Sequence, residues 1–262
     1  MLTSFSVATA DTQLPLRQAL RAVAQLPVQQ IRCDARTELI ARQLTQTGIR
    51  EFLHLVKEVG LTLSALNFMV RHPFTDKNNL DARVAATLEA MQLAAKLKVR
   101  ALCIKIGEIP AEDSPAFPLL KEVIEDLARQ GNHLGVVLTV IPIGKSIERL
   151  QTFLQHVRSG PIAIDFDPSR FLLGETDPLQ ALRELRPFIQ QFTARDAVRD
   201  FSGGGQEVQL GRGEIAWDEM IATLDEVGYR GPIHVSRTGG ENRIEDLDNA
   251  VAYLKNIAGE FG

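Results

Sequence analysis

Two aspartates, Asp165 and Asp167, close the apolar run 162–167. In a strand, residues two apart share a face, so Ala163, Asp165 and Asp167 lie together and Ile164 and Phe166 lie opposite. A carboxylate buried on such a face is costly unless a metal, a cation or a proton compensates it. Asp167, at the end of the run, is therefore the leading candidate for a general base, a metal ligand or a ligand contact. The same pattern also admits a structural salt bridge with Arg170 or Arg195. Other polar side chains gather where further apolar runs end: Lys105 before Gly107 and Glu108, then Thr193, Arg195 and Asp196, then His234 and Ser236. His234 offers a second acid/base group, or else a hydrogen-bonded core imidazole. His72, between Arg71 and Pro73, is a candidate substrate contact in a loop. Arg36, Arg71, Lys105, Lys145, Arg170, Arg195, Arg212 and Arg237 all fall near run ends. As a group they suit a phosphate or carboxylate through charge-assisted bonds, although any one alone reads as a solvated rim charge.

The elements that must position these groups alternate along the chain. Strand-like apolar runs fall at 5–8, 30–34, 61–67, 101–106, 136–141, 162–167, 189–195 and 233–237, rich in Val, Ile and Leu as strands buried on both faces should be. Helical stretches lie between them at 16–26, 45–59, 79–98, 118–130, 146–157, 178–185, 217–227 and 244–257. One face of the third carries Val84, Leu88, Met91 and Ala95. Gly60, Gly131 and Gly228 are read as helix stops, and Ser146 as an N-cap with Glu148 in the first turn. Strict strand–helix alternation implies right-handed βαβ units and a parallel sheet. An open doubly wound sheet is disfavoured because the turn after the first run reads A-T-A-D-T, not G-x-G-x-x-G. A single (β/α)8 barrel spanning 1–262 is the expectation, since such barrels take about 250 residues. Its active site belongs at the C-terminal ends of the strands. Residues 201–213, F-S-G-G-G-Q-E-V-Q-L-G-R-G, read as a flexible loop.

Composition excludes several classes. With 29 basic and 33 acidic residues the net charge is −4, which argues against a nucleic-acid partner. No apolar run reaches the roughly 18 residues a membrane span needs, and residues 1–17 lack the basic and apolar regions of a secretory leader. Cys33 and Cys103 have no metal or redox spacing, so a reducing, cytoplasmic setting is expected. The five histidines (His54, His72, His133, His156 and His234) form no ligand-like pair. Of these, His54, His133 and His156 fall in helical sequence and read as surface residues.

Several segments carry a family resemblance: T-A-R-D-A-V-R-D at 193–200, E-V-Q-L-G-R-G-E-I-A-W-D at 207–218 and G-Y-R-G-P-I-H-V-S-R at 228–237. Further matches are F-D-P-S-R-F-L-L-G-E-T-D-P at 166–178, L-D-A-R-V-A-A-T-L-E-A-M at 80–91 and T-Q-T-G-I-R-E at 45–51. Together they resemble the sugar phosphate isomerase/epimerase group of the xylose isomerase-like barrels, a superfamily that includes endonuclease IV. The resemblance implies a divalent metal (Mn, Mg, Co or Zn) held by a Glu on strand five, an Asp on strand six, a His on strand seven and a Glu on strand eight. Carried over, these positions are Ile141, Asp167, Thr193 and Ser236, so only Asp167 keeps its type. A position that is often His in the family is Arg170 here. One carboxylate does not hold a divalent ion, so no metal cofactor is expected. Asp165 and Glu241 can replace the lost oxygens only under a different register. Arg170 or Arg195 beside Asp167 is expected to fill the metal's place.

Two functions follow as expectations. One is a metal-independent isomerase/epimerase of a small sugar or sugar phosphate, with Asp167 and His234 as acid/base groups. Its substrate contacts would be Arg170, Arg195, His72, Lys105, Arg237, Thr193 and Ser236. The alternative is a degenerate relative that only binds a small anionic ligand. A nuclease like endonuclease IV is disfavoured by the missing His and Glu ligands. Relatives imply a homodimer or homotetramer.

Overall fold

Every strand run carries apolar residues on the alternate positions that meet helices, and that pattern closes the sheet on itself. The computed structural model describes residues 4–201 and 203–260. Its strands are β1 (Phe5–Ala8), β2 (Gln30–Asp34), β3 (Thr62–Phe68), β4 (Ala101–Ile104), β5 (Val137–Val140), β6 (Ile162–Phe166), β7 (Ile189–Ala194), β8 (Asp196–Arg199), β9 (Gly205–Val208) and β10 (Ile233–Val235). All but β8 and β9 form one closed parallel barrel in the order β1-β10-β7-β6-β5-β4-β3-β2. The helices are α1 (Leu16–Val23), α2 (Gln46–Glu58), α3 (Leu80–Lys96), α4 (Ala116–Leu134), α5 (Ile147–His156), α6 (Pro168–Leu173), α7 (Pro178–Leu185), α8 (Trp217–Glu226) and α9 (Arg243–Glu260). The architecture is a single (β/α)8 barrel.

Most of the apolar core lies between strands and helices, where Phe166 stacks on Phe171 at 4.7 Å and on Phe192 at 5.9 Å. The barrel interior is different. Its apolar part is a small cluster of Ala65, Ala101, Cys103 and Ile141, and both cysteines of the chain are free and buried. Small residues on β3 and β4 leave room inside for larger polar side chains from β2, β6 and β7. Two register shifts mark this polar layer, one at Ile31/Arg32 between β2 and β3 and one at Ile164/Asp165 between β6 and β7. Each shift leaves an extra residue, Ser64 and Gln190 respectively. Such bulges re-aim nearby side chains and recur next to functional sites.

Several expectations need correction. Gly131 is no helix stop: α4 runs on to Leu134, and Gly135, at φ 70°, ends it. A Cβ at Gly131 would sit 2.4 Å from the Val136 carbonyl oxygen, so glycine there permits a close helix–strand approach. Gly60 and Gly228 do follow their helices with positive φ, and Ser146 caps α5 by accepting from the Arg149 N–H at 3.3 Å. The face α3 buries centres on Thr87, Ala90, Met91 and Ala94, one residue round from the expected stripe. The stretch 201–213 is not all loop, because β9 pairs antiparallel with β8. The strand ends at 106, 141, 167, 195 and 237 were set one or two residues too far, and Asp167 instead caps the unforeseen α6 through the Ser169 N–H. The expectation of no leader bears partly on residues 1–3, and that of the loop partly on Ser202, which lie outside the described residues. Among the described residues no helix is long and apolar enough to cross a membrane.

Candidate functional site

The C-terminal mouth of the barrel opens into a cavity of about 190 Å³. Its floor is an ion pair that the sequence reading missed. Arg32, from the centre of β2, is 1% exposed and points inward, where its guanidinium meets Asp165 Oδ2 at 2.5 Å. The same guanidinium donates to Gln191 Oε1 at 3.0 Å and Thr193 Oγ1 at 3.3 Å, and Thr193 donates to Asp165 Oδ1 at 2.8 Å. Burial would lower the pKa of Arg32, but the neighbouring Asp165 carboxylate outweighs it and holds the cation charged. The signal in the sequence was an arginine at the inward position of Q-I-R-C-D.

Above this floor, Asp167 is 1% exposed and its oxygens are fully engaged. Oδ1 accepts from the Ser169 N–H at 3.1 Å and the Ser169 hydroxyl at 2.6 Å. Oδ2 accepts from Arg195 through Nη2 and through Nε at 3.1 Å, and it pairs with Arg170 Nε at 3.3 Å. Burial pushes the carboxyl's pKa up, yet Arg195 and Arg170 overcome that and hold it below the usual carboxylate range. A carboxylate stabilised this way is a weak base. Lys105 stands on the rim, its pKa lowered by partial desolvation and then by Arg170 and Arg195.

The remaining expected residues divide. Thr193, His234, Ser236 and Ile141 line the cavity with Lys105, Arg170 and Arg195. His234 pairs through Nδ1 with Ser6 Oγ at 3.1 Å, and burial together with Arg32 and Arg195 pushes its pKa well down, so the ring is neutral at pH 7. Two of the expected substrate contacts do not line the cavity. His72 is mostly exposed and faces Asp76 at 3.6 Å, outside the cavity lining. Arg237 is tied down by Asp246 at 2.8 Å and Glu207 at 3.2 Å, so its guanidinium is spent outside the lining. Of the basic rim residues expected to converge, Arg36 instead donates to the Met69 carbonyl at 2.8 Å and Lys145 pairs with Glu108 at 3.6 Å. Missed were Arg32, Asp11 and Asn67, all of which line the cavity.

Asp196 belongs to the fold. Its carboxylate accepts from the backbone N–H groups of Ala197, Gly211, Gly213 and Ile215 and from the Trp217 indole at 3.0 Å. Asp196→Ala strips the acceptor from all of them, and each such hydrogen bond contributes a net of roughly 0.5–1.5 kcal/mol. A loss on the order of 3 kcal/mol in denaturant unfolding is expected. An unchanged midpoint would overturn this reading.

A family model described as xylose isomerase-like TIM barrel matches residues 20–257. The chain belongs to that family. No curated protein matches it. Among solved structures, a xylose isomerase domain protein from Planctomyces limnophilus is 21% identical with a TM-score of 0.86, over 99% of this chain and 98% of that one. A xylose isomerase-like TIM barrel protein from Mycobacterium smegmatis in complex with magnesium is 16% identical with a TM-score of 0.78, over 100% and 98%. A D-psicose 3-epimerase from Clostridium cellulolyticum H10 with D-tagatose is 14% identical with a TM-score of 0.78, over 97% and 99%. Identities this low carry the fold alone. Among the described residues of this xylose isomerase-like barrel, no three His, Cys, Asp or Glu side chains converge as metal ligands would.

Proposed function

We propose that this xylose isomerase-like barrel is a sugar isomerase/epimerase-like protein that takes a small anionic sugar derivative at its mouth. In this reading Arg195 and Arg170 replace the family's divalent ion. The observation that carries it is the engagement of Asp167, the one retained ligand type, by two guanidiniums and Ser169. The donor set does not fit a divalent ion: Ile141 brings no donor atom, Thr193 is spent on Asp165, and both Asp167 oxygens are taken. Hard cations take several oxygen ligands, which these residues do not offer. Lys105 and Arg170, with one shared carboxylate between Arg170 and Arg195, leave the β4–β7 side of the mouth cationic, which suits a phosphate or carboxylate. The epimerase relative with D-tagatose supports a sugar. The tight pairing of Asp167 supports a second reading, a binding protein without turnover.

Titration calorimetry in EDTA tests this. D-Fructose 6-phosphate is expected to bind at least 10-fold tighter than D-fructose, and Lys105→Gln to lose about 10-fold, the value of one charge-assisted contact. Equal affinity for the two sugars, or stoichiometric tight Mn²⁺ or Zn²⁺ binding, would overturn it.

A further inference from the structure

The three buried carboxylates of the cavity differ in what holds them. Asp165 is paired with Arg32, and Asp167 with Arg195 and Arg170. Asp11 stands in the short 3₁₀ turn that follows β1 and is 9% exposed, yet it has no ion pair among the described residues. Its Oδ2 accepts the Arg237 backbone N–H at 3.1 Å, and the Ser236 hydroxyl also donates to the carboxylate. Nothing neutralises it as the other two are neutralised.

Its neighbours mark out a second side of the cavity. Asp11, Asp34 and Asn67 come from the β1, β2 and β3 arc of the barrel, whereas Lys105, Arg170 and Arg195 come from the β4 to β7 arc. Asn67 Oδ1 is buried with no hydrogen-bond partner. A buried acceptor left open in a ligand cavity calls for a donor such as a sugar hydroxyl. The cavity thus has an anion-binding side and a hydroxyl-binding side, and Asp11 lies on the second.

We propose that Asp11 is the catalytic residue that moves the proton in this cavity, acting on the carbon beside the carbonyl of the bound sugar derivative. The proposal rests on the anionic-sugar reading above. The carboxylate of Asp11 takes the proton from that carbon, and the C–H electron pair becomes the C=C bond of an enediolate. The carbonyl π pair moves onto its oxygen, which the cations of the opposite side stabilise. Returning the proton to the same carbon restores the substrate. Returning it to the former carbonyl carbon, while the neighbouring hydroxyl proton passes to the enediolate oxygen, interconverts aldose and ketose. No oxidant or metal enters the balance.

Burial pushes Asp11 up to about 6, against the hydrogen bonds from Ser236 and Arg237 and the charge of Arg195, with Glu207 adding to the rise. Glu38, also close enough to interact, repels the same charge. A base with that value is ionised at neutral pH yet basic enough to accept a carbon-bound proton. The rate therefore rises with pH through about 6 and levels above it.

The test is deuterium exchange from D₂O into D-fructose 6-phosphate, with binding measured in parallel by calorimetry. Wild-type protein is expected to exchange with that pH profile. Asp11→Asn should slow exchange at least 100-fold, the lower range for a removed general base, while binding changes less than 3-fold. Asp11→Glu should recover part of the rate. Binding without exchange in the wild type, or wild-type exchange in Asp11→Asn, would overturn the role of Asp11 and leave the anion reading standing. Failure of the wild type to bind the phosphate would overturn the anion reading itself, and the Asp11 proposal with it. Thermal melting of each variant separates loss of fold from loss of chemistry.

Discussion

Asp165→Leu is expected to lower the melting temperature by on the order of 10 °C, the largest single effect on this fold. The change strands the Arg32 guanidinium in the barrel interior, where its side chain is 1% exposed. Breaking a buried pair from one side costs roughly 3–5 kcal/mol, and in a protein of this size each kcal/mol moves the midpoint by about 2–4 °C. Arg32→Met should cost less. In Arg32→Met the Asp165 carboxylate keeps the Thr193 hydroxyl as a donor, whereas a guanidinium stranded by Asp165→Leu cannot shed its proton. The double variant, Arg32→Met with Asp165→Leu, should be less damaged than the sum of the singles, with a coupling of about 2 kcal/mol or more. It will not recover fully, because Gln191 and Thr193 lose Arg32 as well. Additive losses in denaturant unfolding would overturn the pairing as the organising contact of the interior.

Asp167→Asn is the second large effect, and its sign with pH identifies the cause. The folded-state pKa of Asp167 lies below its unfolded value of 3.8. Such a group contributes stability that is present above the unfolded value and is lost as pH falls through the folded one. At pH 7 the variant leaves Arg195 and Arg170 without their counter-ion, and a loss of about 2–3 kcal/mol is expected. That is less than for a fully buried pair, because both arginines keep some solvent contact and Glu207 stands 3.9 Å from Arg195. The gap between wild type and variant should narrow below about pH 4. A gap that stays constant with pH would show that packing, not charge, carries the loss. The same variant also separates two chemical roles. If Asp167 were the base, exchange would vanish. With Asp167 as an arginine anchor, D-fructose 6-phosphate binding persists and exchange falls far less than in Asp11→Asn.

Much of this was legible in the chain. Apolar runs such as A-L-C-I at 101–104 and helical stretches between them led to eight barrel strands, since such runs can be buried only by helices on the outer face of a parallel sheet. Period-two alternation put Asp165 and Asp167 inside the barrel, and the matched segments pointed to the family, whose resemblance implies altered ligand positions at Ile141, Thr193 and Ser236. Arg32 stayed hidden because its compensation comes from β6 and β7, more than a hundred residues away, and local pattern carries no trace of a partner at that separation. His72 and Arg237 lie near strand ends as expected but outside the cavity lining, because a position near a strand end does not fix which partners, such as Asp76, Asp246 and Glu207, a side chain meets.

Which donor atoms can exist at Ile141, Asp167, Thr193 and Ser236, the positions the resemblance assigns to metal ligands, is a property of the sequence, because residue type fixes them. Which carboxylate remains free to carry a proton is a property of the tertiary structure. Ion pairing depends on contacts within a few ångströms, and only closure of the barrel brings Arg195 and Arg170 onto Asp167, and Arg32 onto Asp165, while leaving Asp11 with Ser236 and a backbone N–H.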